Sequence, residues 1–402
     1  MASILTPAAF SAATKILYPK GLSHTLYPAS PFLEAVKKSS TFYGASKQIN
    51  PLYAGLRGST DFASALQQKA TPSIASFQVT RVRDYVIGSI GNETLAASRN
   101  ETGAVATALK TSLDSAGYEF GRSQAFQLWG DGTGTRGTVS AYAAGVITLS
   151  QSREVVNFEV GMVLEKKNSG GTLLTGTMTI TAISRDAGTL TVTLGGGAAD
   201  PAANDTLARL GDYTATGSNC LAGVLSWVPV TEPTSGDSHF GVDRSVDPLR
   251  LSGIRYDGNG ANIEDSVFQA QAEAAINGAS DVDTLWMNTA RFAELCKSLQ
   301  GKAWYQQAQA GKAQVGFSGF TFPGERGPVM VKSDPNCPYA YGLLTCMKEW
   351  EMCTLDAYPH FAENGGGKFL TESSADAVEY RLKMYGNLIN HKPHKNVLIT
   401  WD

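Results

Sequence analysis

Catalytic and ligand-binding patterns are what this sequence has least of. Its five histidines (His24, His239, His360, His391 and His394) form no His-Glu-x-x-His, and no Gly-x-Ser-x-Gly turn occurs. Pro393 separates His391 from His394 and breaks the helical spacing that paired metal ligands would use. Cysteine is scarce: Cys220, Cys296, Cys337, Cys346 and Cys353 are odd in number and include no Cys-x-x-Cys. That pattern predicts reduced thiols, with neither a disulfide frame nor a zinc site. Charge is thin as well, with 17% charged residues and a net charge of −3, so there is no general basic field for nucleic acid. No apolar run approaches the ~20 residues of a membrane-crossing helix. The opening Met1-Ala-Ser-Ile-Leu-Thr-Pro has neither the basic region nor the apolar core of a signal peptide. These absences predict a soluble protein made inside a cell, not an enzyme, with no cofactor, no metal and no membrane partner.

What is present is a large folding chain with a marked organising centre. At 402 residues and 43% hydrophobic it can bury two or three domain-sized cores. Val105, Leu109, Leu113, Ala116 and Phe120 recur at steps of three and four, which places them on one face of a long helix. The run Trp129-Gly130-Asp131-Gly132-Thr133-Gly134 should stop it, since glycines supply left-handed conformations and make continuation costly. A phosphate loop would instead precede a helix and end in Lys-Ser/Thr, where this chain has Thr135-Arg136-Gly137. No phosphate site is expected.

Along the chain, residues 1–56 alternate prolines with short apolar patches and carry Phe32, Phe42 and Tyr43. They read as an extended arm whose aromatics are buried on other subunits. Residues 57–75 are small and polar, and 58–72 contain only Phe62 and Leu66 as large apolar groups, with Lys69 nearby. Such a loop gains too little to order on its own domain. Residues 77–88 have strand composition. From 139 to 212 the chain turns rich in Gly, Thr and Val; Met178, Ile180 and Ala182, then Leu190, Val192 and Leu194, alternate with threonine as a hairpin. Further strands at Val146–Leu149, Val160–Leu164 and Thr206–Leu210 make a small all-β unit, sandwich or barrel. A helix over 262–276, the strand Thr284-Leu-Trp-Met287 and a second helix beginning at Asn288 follow. Near the end, Trp350–Leu355 and Val378–Met384 are expected to pair as a long hairpin around the tip Glu363-Asn364-Gly365-Gly366-Gly367-Lys368.

A long amphipathic helix ending in Gly-Asp-Gly-Thr-Gly resembles the spine helix of tailed-bacteriophage major capsid proteins of the Hong Kong-97 type. Trp286-Met287-Asn288 followed by Leu295, and a Glu-x-Arg strand followed by a proline and an apolar strand, resemble that family's axial domain and ending. The resemblance implies an α+β fold. Its parts would be an N-terminal arm (1–56), an extended loop and strand (57–90), a spine helix (91–138), an inserted all-β domain (139–212), an axial domain (213–345) and a peripheral hairpin with a C-terminal strand (346–402). It implies inter-subunit contacts at Phe32, Phe62, Leu66, Lys69, Asn364, Gly365 and Gly366. By the same resemblance the partners are further copies in hexamers and pentamers, scaffolding, portal and decoration proteins, and double-stranded DNA packaged without sequence specificity. The place would be the virion, assembled in the host bacterial cytoplasm. Some members of the family join a lysine to an asparagine beside a glutamate. Lys69, Asn364 and Glu379 hold comparable places, but nothing here enforces the desolvated lysine that this needs. Two other classes compete: a β-rich carbohydrate-binding protein, which could own the Thr-rich unit, and an α/β enzyme subunit, which could own the helical second half.

Overall fold

The computed structural model describes residues 30–93, 102–307, 320–324, 327–362, 370–371 and 376–401. The side chains of 102–111, 300–320 and 371 lie outside the description, and with them the expectations for Val105 and Leu109. The chain forms two compact units, residues 1–125 with 227–402, and residues 126–226.

The first unit holds two six-stranded sheets. One is built on the 14-residue strand Ala377–Asn390, in which Tyr380, Leu382 and Met384 are buried and Arg381 is exposed. The expected hairpin needs correction here. Trp350–Thr354 pairs with Gly386–Asn390, whereas 377–386 pairs along its whole length with Val82–Gly91. The strand is long enough to serve two partners in succession, a pairing that local alternation does not reveal. Gly88 lies opposite Tyr380, where a Cβ would come within 2.2 Å of the phenolic oxygen. The helix Thr102–Trp129 covers one face of this ladder through Leu113 and Ala116, against Tyr380, Val86 and Ile90. Asp84 is buried beneath it and accepts from Ser123 Oγ and Gln124 Nε2, both at 2.7 Å. The opposite face leaves Tyr85 and Ile87 exposed.

The second sheet runs Ile254–Asp257, Asn396–Thr400, Tyr341–Thr345, Thr284–Met287, Gly327–Ser333, Phe320–Gly324. Its strand Thr284–Met287 is buried throughout, which is why it reads as a continuous apolar run. The helices Ile263–Ile276 and Thr289–Gln307 contribute Val267, Ala270, Ala274 and Leu295 to a core with Leu285, Met287, Val331, Leu344 and Ile399.

Residues 30–49 do not behave as an arm. Ser30 caps the helix Pro31–Ala35, and the fully buried Asp334 accepts from the Phe32 amide at 3.1 Å and from Ser30 Oγ at 3.3 Å. Phe32 stands edge-on to Trp286 and Trp350, with ring centroids 5.4 and 6.0 Å away, and is wholly buried. Lys37–Ser39 extends the first sheet beside Trp350–Thr354, and Phe42 is buried as well. Residues 1–29 lie outside the description.

The second unit contains a closed barrel in the order Thr177–Ser184, Thr189–Gly195, Val146–Leu149, Gly137–Ala143, Thr206–Arg209, Val163–Lys167. The hairpin pairs Ile180 with Val192 and Met178 with Leu194. Val160–Met162 form a turn with Gly161 at φ +88°, so that strand starts later than its apolar run suggests. Val139, Ile147, Phe158, Leu164, Ile180, Leu190 and Leu207 fill the interior. Closure leaves no free strand edge.

Candidate assembly surface

Between the strands Leu52–Ala54 and Ser73–Ile74 the chain runs out and back through the helix Phe62–Gln67. Asp61 caps that helix, its Oδ2 accepting from the Ser64 amide and Ser64 Oγ at 2.9 Å each. These bonds hold the Asp61 carboxyl below the ordinary range. The helix buries none of its residues. Phe62 is 82% exposed and Leu66 61%, with Leu52, Leu56 and Ile74 also exposed. Phe62 and Leu66, four residues apart, share one helix face. Lys69 follows them, exposed. The sequence points to Phe62 and Leu66 but not to Leu52 and Leu56; the signal available was their place beside the polar stretch, in a segment too short to cover them.

The other expected contact residues lie elsewhere. Phe32 is a core residue, so its side chain has no area left for a second chain. Asn364, Gly365 and Gly366 lie outside the described residues. Glu379 pairs with Arg381.

The end of the long helix is a packing device. The helix stops at Trp129, which is buried; the Gly130 amide bonds the Gln127 carbonyl at 3.1 Å, and Asp131 Oδ1 accepts from the Thr133 amide at 2.9 Å. Gly132 and Gly134 take φ +85° and +82°, and a Cβ on Gly134 would lie 2.8 Å from Cys220 Sγ. Arg136, where a phosphate loop would need its lysine, is buried against the Phe126 ring and 3.5 Å from Asp212. Burial, followed by the Asp212 charge, pushes the Cys220 thiol up to about 12.

Two surface depressions are of chemical interest. One of about 680 Å³ is lined by Val86, Ser112, Ser115, Ala116, Glu119 and Tyr380, and Ser112 Oγ lies 2.7 Å from the Tyr380 hydroxyl. Another of about 470 Å³ is lined by Thr80, Arg81, Arg83, Tyr85, Leu355 and Tyr385. Neither lining includes a cysteine or a histidine, so no nucleophile–imidazole pair faces either depression. Among the described residues no group of three His, Cys, Asp or Glu side chains could hold a metal ion. His239 is enclosed by Phe77, Trp227 and Phe240, and burial, then the Arg244 charge, brings it down to about 3.

No protein-family model matches the sequence, and no curated protein does. Solved structures do. The capsid of cyanophage A-1(L) matches at a TM-score of 0.54 and 12% identity, over 92% of each chain. Weaker likenesses include a structure of Mycobacterium phage Ogopogo (TM-score 0.43, 11% identity, 92% of this chain and 91% of that one). The satellite phage P4 procapsid matches at 0.39 and 11% identity, over 98% and 95%. The first of these establishes the fold: this is the α+β, Hong Kong-97-type fold of phage capsid proteins.

Proposed function

We propose that this chain is the major capsid protein of a tailed bacteriophage, assembling as pentamers and hexamers into an icosahedral shell around double-stranded DNA. The observation that carries the reading is the loop between Leu52 and Ile74. It holds Phe62 and Leu66 in water on a capped helix that buries nothing of its own. An isolated protein gains nothing by presenting them there, whereas a neighbouring copy would bury them. Many such contacts, each modest, sum to a stable shell through multivalency. The barrel is read as an inserted domain on the outer face. Scaffolding, portal and decoration proteins are the further partners, and the finished protein resides in the virion after assembly in the host cytoplasm. Size-exclusion chromatography and electron microscopy of the chain expressed alone and with its genomic neighbours test the reading. Capsomers or particles are expected; a small oligomer under all conditions would overturn it.

A further inference from the structure

A cluster of reactive side chains lies where the strand Ser46–Ile49 meets the strand Trp350–Thr354. Lys47 Nζ stands 3.2 Å from Cys353 Sγ, 3.4 Å from Glu351 Oε2 and 3.3 Å from Thr41 Oγ1. Glu351 Oε2 also meets His391 Nε2 at 2.8 Å. Burial raises the Glu351 carboxyl, but hydrogen bonds from His391 and Ser39 and the Lys47 charge outweigh it and hold it below the ordinary range. Cys353 is fully buried, and all five cysteines are unpaired.

An oxidised sulfur at Cys353 therefore has an amine in contact and no thiol bonded to it. A separation of 3.2 Å is a near-attack distance. The hydroxyl of Thr41, at 3.5 Å from the sulfur, is the weaker nucleophile. The geometry points to a covalent Lys47–Cys353 bridge, a sulfenamide formed when hydrogen peroxide oxidises Cys353.

In the first step Sγ attacks a peroxide oxygen. The O–O bond breaks, and the thiol becomes a sulfenic acid with release of water. The Lys47 ammonium, whose side chain is 24% exposed, gives up a proton to water, and the freed amine attacks Sγ. The S–N bond forms as the S–O bond breaks, and the hydroxyl leaves as a second water. Sulfur loses two electrons and peroxide gains them; one proton goes to solvent. The bond ties together two strands whose linked residues are 306 positions apart in the chain. Thiol reductants reverse it.

The test is intact-mass and peptide mapping of the full-length protein before and after dilute hydrogen peroxide. The bridge predicts a loss of about 2 Da, one peptide joining the segments around Lys47 and Cys353, and recovery of the original mass with a thiol reductant. In Lys47→Arg the joined peptide falls to background while Cys353 retains added oxygen. Unchanged mass in the wild-type protein, or oxygen retained on Cys353 without a joined peptide, overturns the inference. Because the wild-type measurement decides alone, a variant that fails to fold leaves the test intact.

Discussion

Replacing Phe62 and Leu66 together by alanine should separate assembly from folding. Both side chains are presented to solvent, 82% and 61% exposed, on a helix with no buried residue. Burying a Phe or Leu side chain contributes about 1.5–3 kcal/mol, so scaling by these exposures gives about 2–4 kcal/mol for the pair. Ordering the two side chains takes back about 1 kcal/mol. What remains weakens each inter-subunit contact by roughly 5- to 150-fold. Closing a ring multiplies that factor over every contact, so particles should disappear at concentrations where the parent assembles. Folding of the single chain should hardly change, since exposed positions of this kind shift stability by less than about 0.5 kcal/mol. Light scattering across a concentration series would read assembly, and thermal unfolding of the dissociated chain would read folding. Particles forming at the parent's critical concentration would refute the role given to this loop, and so would a large drop in the unfolding temperature.

Gly134→Ala should destabilise the second unit by about 1–3 kcal/mol, because it combines strained φ with a Cβ 2.8 Å from Cys220 Sγ; differential scanning calorimetry reads it. Asp334→Ala removes the acceptor for Ser30 Oγ and the Phe32 amide, and should cost about 1–3 kcal/mol while speeding proteolysis before residue 40. His239 is held neutral, down to about 3. The unfolded chain therefore binds the extra proton first, and this contribution is complete above the ordinary histidine value and lost as pH falls toward 3. His239→Leu should flatten stability over that window, and an unchanged acid slope would count against it. Replacing residues 140–212 by a short Gly-Ser linker should leave the remainder folded, since Thr135 and Tyr213, which flank the segment, bring their hydroxyls within 2.9 Å of each other; circular dichroism and thermal unfolding decide.

Legibility followed the range of the interactions. The long helix, its glycine stop, the 180–192 hairpin, the buried strand 284–287 and the helix after Asn262 were all legible, because each is set by local periodicity and turn chemistry. Pairing was not. Nothing in the alternation over 378–384 says that its partner is Val82–Gly91, some three hundred positions away. The place of Phe32 is illegible for the same reason, since proline-rich surroundings say nothing of the Trp286 and Trp350 rings it packs against. Of the surface, Phe62 and Leu66 could be read because their neighbours are too small to cover them.

The strand Ala377–Asn390 has a mechanical consequence. It runs without a break from its ladder with Val82–Gly91 into its ladder with Trp350–Thr354. Tension along its axis loads both ladders in shear, so the pairs resist together, whereas a hairpin peeled from its end gives way one pair at a time. Stress entering at one end of the sheet reaches the other without crossing a loop, and the unit should yield abruptly at a high force instead of stretching gradually.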